Sequence, residues 1–222
     1  MVSINITPLL VNWRFLLAAL ETTLLLTVLS VVLGAAIGLV VGTARAYGPR
    51  SLGVALGFYV DSMRAVPVLA ILIWIFFAVP AAFAVSLPPL AAASLGLGLH
   101  IGAYFAETIR AGLLSVRRGQ LRASLALGMS PMQAIRVVIM PQALIRMLPS
   151  FGSLLTITVK DTSIASVIAV PELMRQSQIL AGQTYRPFEI YTFAMVVYFL
   201  ICFPLARIVD AFYARVVHKG AS

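Results

Sequence analysis

Residues 65–106 read AVPVLAILIWIFFAVPAAFAVSLPPLAAASLGLGLHIGAYFA, and no Asp, Glu, Lys or Arg occurs among them. A helix needs about 20 apolar residues to cross the hydrocarbon core of a bilayer. The 42 residues of this stretch therefore suffice for most of two crossings, divided by Pro80, Ser86, Pro88 and Pro89. The whole chain agrees: 61% hydrophobic, 10% charged, mean hydropathy +1.03, far from the composition of soluble domains. A chain of 222 residues cannot bury that much apolar surface in a water-soluble core. Working outward, further apolar runs at 15–41, 149–170 and 188–212 join 53–79 and 89–110 to give five helices. The fold class is an all-α integral membrane protein with about five transmembrane helices. It reads as a single domain over 1–222, without an internal repeat or a low-complexity linker. The first ten residues carry no Lys or Arg, and the first apolar run is too long for the core of a signal peptide. That run is expected to stay as an anchor.

Charge placement orients the spans. Arg45 and Arg50 follow the first run; Arg110, Arg117, Arg118, Arg122, Arg136 and Arg146 surround the connection from the third to the fourth. Arg207, Arg215 and Lys219 end the chain, and only Arg14, Arg175 and Arg186 fall on the other side. Positive residues concentrate on the cytoplasmic face, which predicts an outside N-terminus and a cytoplasmic C-terminus in a multi-pass membrane protein. The net charge of +9 and pI of about 10.5 are then a topology signal, with membrane lipid as the partner and no nucleic acid.

The basic connection holds a second informative stretch, GQLRASLALGMSPMQAIRVVIMPQALIRMLP, at Gly119–Pro149. It is too charged to cross a bilayer and too apolar for a solvated loop. Gln120 to Leu127 are good helix formers, and Gly128 suits a left-handed helix stop. Ser130-Pro131-Met132-Gln133 is a helix start: Ser as N-cap, Pro at the first helical position, Gln three residues after the cap. The second helix is expected to run to about Met140, with Pro141 ending or kinking it. Two short helices meeting at a glycine corner make a knob for a groove in a partner. An amphipathic segment lying among lipid headgroups is the simpler reading of the same arginines.

Several chemistries are excluded. There is no GxxxxGK[ST] loop to cradle phosphates, no HExxH and no GxSxG. The single cysteine, Cys202, allows no intrachain disulfide and no cysteine metal cluster. His218 is a tail residue, and His100 inside the third span is expected to pack or hydrogen-bond locally. No catalytic residue, no metal ligand and no cofactor belong to this chain.

Ionisable groups inside the spans are costly and mark pathways or structural pairs. Lys160 and Asp161 fall near the middle of the fourth span, and Arg64 precedes Pro67 in the second. Glu107 and Arg110, three apart, form a local pair; Glu21 is interfacial. An amino acid needs a cation for its carboxylate and an anion for its ammonium. Arg64, Lys160 and Asp161, with the hydroxyls of Thr162 and Ser163, offer that chemistry at membrane depth. A self-neutralising structural pair is the alternative for Lys160–Asp161, as snorkelling is for Arg64.

The second stretch resembles the cytoplasmic EAA loop of permease subunits from bacterial ABC importers, whose core is GQxEAAxxLG. Gly119, Gln120, Ala123, Leu127 and Gly128 are in register, and Pro141 stands where the second helix should end; Arg122 replaces the Glu and Ser124 the second Ala. The resemblance continues to polar amino-acid permeases of the histidine, glutamine and glutamate type. It runs through Arg64-Ala65-Val66-Pro67, through AYFAETIRAGLLSVRRGQ at 103–120, through Lys160-Asp161-Thr162-Ser163, and through Glu172-Leu173 with the block at 185–191. Matching blocks cover about 15–205.

The resemblance implies an ABC importer type I permease fold with cytoplasmic coupling helices over about 115–146. It implies coupling to the ATPase through Gln120, Arg122, Ala123, Ser124, Leu127, Gly128 and Pro141. The implied partners are a second permease subunit, identical or sister, two cytoplasmic ATP-binding subunits that hold ATP and Mg, and a periplasmic or extracellular amino-acid-binding protein. Transport of polar amino acids follows, with a lean toward acidic or amide side chains. A self-contained channel or secondary carrier, or a membrane docking and assembly protein, are the competing functions; the absence of an inverted repeat weighs against a carrier.

Overall fold

The computed structural model describes residues 5–219, with side chains described through residue 216; His218 and the Lys219 side chain lie outside that description. Among the described residues the ordered elements are all helical. They are α1 (Thr7–Val11), α2 (Trp13–Tyr47), α3 (Arg50–Ala65), α4 (Val68–Phe83), α5 (Pro89–Ser115), α6 (Arg118–Ala126), α7 (Pro131–Ile168), α8 (Leu173–Thr184) and α9 (Pro187–Lys219). Helices α2, α5, α7 and the Pro187–Val216 part of α9 are each long and apolar enough to cross a membrane.

The second expected span, 53–79, is not one straight helix. It breaks between α3 and α4 with a bend of 105°, and it makes a fifth crossing only if the bent pair counts as one. The cause is local. Pro67 forces Val66 out of the helical region, to φ −88° and ψ 133°, and α4 restarts on Pro67 as its cap.

Pro141 behaves in the opposite way. The expectation that it ends the second helix of the loop is corrected: α7 runs without a break from Pro131 to Ile168. A proline removes the N–H that the carbonyl four residues earlier would use. The helix answers with a widened π turn at Ile135–Ile139 and re-forms from Met140. A second π turn, Trp74–Ala78, precedes Pro80 in the same way. The fourth span therefore starts well before 149. Lys160 and Asp161 fall not at its middle but at the last α-helical residues, where α7 tightens into a 3₁₀ turn over Thr162–Ile168.

The scaffold is the α2–α5 pair. Gly34, Gly38 and Gly42 recur every fourth residue along α2, and Gly98 and Gly102 do so along α5, so the backbones approach closely. A Cβ at Gly42 would lie 2.6 Å from the Ala106 carbonyl oxygen, and one at Gly102 would lie 3.1 Å from Ile37 Cβ. Leu26 of α2, Leu72 and Ile75 of α4, Leu97 of α5 and Ile168 of α7 close one buried cluster against this pair. Ile109 and Leu113 of α5 close another against Ala143 and Met147 of α7.

Candidate functional site

The loop between α5 and α7 forms the corner that its sequence calls for. Helix α6 ends at Ala126, and Gly128 takes φ +83°. Met129 N–H then donates to the Ser124 carbonyl and Gly128 N–H to the Leu125 carbonyl, the paired closure of a left-handed helix stop. A Cβ at Gly128 would meet nothing within 4 Å, so backbone conformation and not crowding requires glycine here. Beyond the corner, Ser130 Oγ accepts from Gln133 N–H and Gln133 Oε1 accepts from Ser130 N–H, a complete capping box.

The corner carries apolar side chains outward. Leu127 is 81% exposed and Met132 57%, while Gln120, Arg122, Ala123 and Pro141 are exposed beside them. Ser124 faces inward: it is buried, and its hydroxyl donates to the Gln120 carbonyl. It therefore holds the helix and is no part of the outer face. The corner is tied to the spans by Arg146 of α7, whose guanidinium donates to the Ser115 carbonyl at the end of α5.

A charged cluster braces the same end of the bundle. Glu107 accepts from Arg110 at 2.5 Å, as the spacing of three predicts, and also from Arg45 of α2 at 2.8 Å. The second bond was not legible from α5 alone, because its donor is 62 residues away.

The intramembrane residues separate into two places. Lys160 and Asp210 line a hollow of about 260 Å³ between α7 and α9, with Ser153 and Thr156. Asp210 is the group that the sequence reading missed; it lies about six turns into the last apolar run, three residues after Arg207. Lys160 is exposed and Asp161 half-buried. Among the described residues neither forms an ion pair. Thr162 donates to the Val159 carbonyl and Ser163 to the Lys160 carbonyl, so each hydroxyl proton is committed to its own helix.

Arg64 stands elsewhere, at the α3–α4 break, with its guanidinium 5.4 Å from the Tyr104 ring centre. His100 packs edge-on to Tyr104 at 5.2 Å, and its Nδ1 lies 2.9 Å from the Met63 carbonyl oxygen. That contact reaches across helices, not locally as expected. No described contact joins Arg64 to residues 160–163.

Between α7 and α9, Glu172 caps α8. It is fully buried and accepts from Met174 N–H and Arg175 N–H at 2.7 Å and from the Tyr198 hydroxyl at 3.1 Å. Burial nevertheless pushes its carboxyl up to about 7, against those three hydrogen bonds. Beside it, Thr23 of α2 accepts from Leu173 N–H at 3.0 Å, which fixes α8 to the first span.

Against known proteins, residues 34–219 match the family described as the binding-protein-dependent transport system inner membrane component. The chain is 37% identical over 194 residues to the glutamine transport system permease protein of Escherichia coli K12, covering 87% of this chain and 89% of that protein. It is 36% identical over 197 residues to the L-cystine transport system permease protein of Bacillus subtilis 168, covering 88% and 84%. Among solved structures, an amino acid ABC transporter with histidines superposes with TM-score 0.88 at 30% identity, over 96% of this chain and 99% of that one. The MetNI methionine ABC transporter shares the fold, with TM-score 0.80 at 22% identity over 92% and 97%. With the corner and the bundle from residue 34 onward inside the matched range, this chain belongs to the family of binding-protein-dependent transport system inner membrane components.

Proposed function

We propose that this chain is the permease subunit of an ATP-driven ABC importer of polar amino acids, with amide and acidic side chains favoured. One observation carries the coupling: α7 is a single helix that begins at the docking corner and whose α-helical part ends at Lys160 and Asp161. From Pro131 to Asp161, at 1.5 Å per residue, it spans roughly 45 Å, so a displacement at Gly128 and Ser130 is carried along one continuous helix to the pathway end. The names of the relatives support the substrate class.

In this reading the corner sits in a groove of an ATP-binding subunit through Leu127, Met132 and the exposed Gln120, Arg122 and Ala123. Pro141 follows the π turn through which α7 passes into the span. Two cytoplasmic ATP-binding subunits hold ATP and Mg. A second permease, identical or sister, completes the path, and an amino-acid-binding protein delivers solute from outside. The arginine asymmetry supports a cytoplasmic corner and C-terminus and an outside N-terminus. Lys160, Asp161 and Arg64 serve the path, with Asp210 added by the hollow it shares with Lys160; Thr162 and Ser163 shape the turn behind them.

The test is Gly128→Val. A β-branched residue at φ +83° strains the corner by about 1–3 kcal/mol while leaving the spans untouched. The expected outcome is normal membrane insertion with weakened capture of the ATP-binding subunits and at least a tenfold loss of transport-linked ATP hydrolysis. Normal capture with normal hydrolysis would contradict the coupling role.

A further inference from the structure

Where α5 hands over to α6, a hollow of about 310 Å³ opens beside the docking loop. Its floor is apolar: Leu113, Val116 and Ile139 are buried there. Its rim carries Tyr47, Arg117 and Arg118. No carboxylate lines it, and among the described residues neither arginine has an ion-pair partner.

Position decides what such a hollow can hold. Tyr47 is the last residue of α2, and Leu114 precedes the last residue of α5, so both mark the end of a membrane-crossing helix. Leu114, which also lines the hollow, is 51% exposed. A tyrosine at a span end suits the headgroup layer. Cationic side chains above an apolar floor at that depth match a molecule with an anionic head and hydrocarbon tails. A soluble anion would make no use of the floor. The acidic side chains of a protein partner would reach the rim but leave Leu114 exposed to lipid.

We infer that this hollow binds an acidic phospholipid, with the phosphate between Arg117 and Arg118 and an acyl chain against Leu114. The inference goes beyond the transport reading and does not depend on which solute moves. Arg122 shares the rim but also belongs to the docking motif, so it is left unchanged in the test. Each arginine near an anionic lipid layer adds about fivefold to binding, and the pair roughly twentyfold.

Purified full-length chain in neutral detergent would be titrated with phosphatidylglycerol or phosphatidylcholine, and the retained lipid counted by native mass spectrometry. The expected result is one tightly retained phosphatidylglycerol, preferred over phosphatidylcholine. That preference should fall about fivefold in Arg117→Gln and in Arg118→Gln, and roughly twentyfold in the double variant. It should persist in Arg136→Gln, an exposed arginine of the same loop outside the hollow. Helix content by circular dichroism confirms that each variant is folded, and the two single variants stand in if the double one is not.

Four outcomes overturn the inference. The first is equal retention of both lipids by the unchanged protein. The second is unaltered preference in all the Arg117 and Arg118 variants. The third is the same loss in Arg136→Gln, which would mean diffuse surface charge. The fourth is displacement of phosphatidylglycerol by inorganic phosphate alone, which would mean an anion site without a role for the chains. If the Arg117 and Arg118 variants instead lose capture of an ATP-binding subunit with lipid preference intact, the rim belongs to a protein interface, and the lipid assignment fails.

Discussion

Met63 has a carbonyl whose helical partner would be the N–H of residue 67, and residue 67 is proline. His100 Nδ1 fills that vacancy from another helix, and since a carbonyl only accepts, the proton of that contact sits on Nδ1. His100→Ala is expected to leave the acceptor unsatisfied and to destabilise the protein by about 1–3 kcal/mol. Thermal unfolding in detergent reads this, and an unchanged midpoint would refute it. Glu172 offers a second test. Its folded carboxyl sits at about 7 against an ordinary 4.5, so the folded state holds the proton more tightly than the unfolded chain. The stability that this group contributes is present below about pH 4.5 and is lost as pH rises through about 7. The loss between acid and mildly alkaline pH is on the order of 3 kcal/mol. Glu172→Gln keeps an acceptor for the α8 cap and should flatten the slope. A variant as pH-dependent as the parent would assign the slope to another group.

Elements were legible where their causes are local. Gly128 and the Ser130–Gln133 cap could be read directly, because a left-handed stop and a capping box are each made within a few residues. Pro67 and Pro141 could not be told apart on the same terms. Both remove one N–H, yet one ends a helix with a 105° bend and the other is passed by a widened turn; the segment that follows packs against α5 in both cases, so the outcome is not set by the few residues around the proline. The glycine spacing on α2 and α5 was present in the sequence as small residues four apart, but only the fold shows which faces meet. That contact is testable. A Cβ at Gly38 would lie 3.0 Å from the Ala106 backbone nitrogen, and backbone cannot rotate away. Gly38→Ala should therefore cost about 1–3 kcal/mol. Gly53→Ala, in α3 with nothing within 4 Å, should be neutral or slightly stabilising. Equal midpoints for the two variants would mean that the α2–α5 contact is looser than described.

At the scale of the whole molecule, the candidate pathway was half legible. Lys160 and Arg64 announce themselves as charges among apolar residues, but their separation into two places is a property of the bend at Pro67 and of the α7–α9 contact. The topology proposed from charge has its own check. With Cys202 replaced, single cysteines near Gln183 and at Met132 should be labelled by a membrane-impermeant reagent from opposite sides, Gln183 from outside; the reverse pattern would invert the orientation. The central claim is that this permease moves amino acids when its corner is driven by ATP. The most direct measurement is uptake of labelled glutamine, glutamate and an unrelated sugar into proteoliposomes holding the chain with its ATP-binding subunits and binding protein. The account predicts uptake of glutamine or glutamate that requires ATP, ignores the sugar and fails with Gly128→Val. Amino-acid uptake that is equally fast without ATP, or no uptake of any amino acid by a complex that hydrolyses ATP normally, would contradict it.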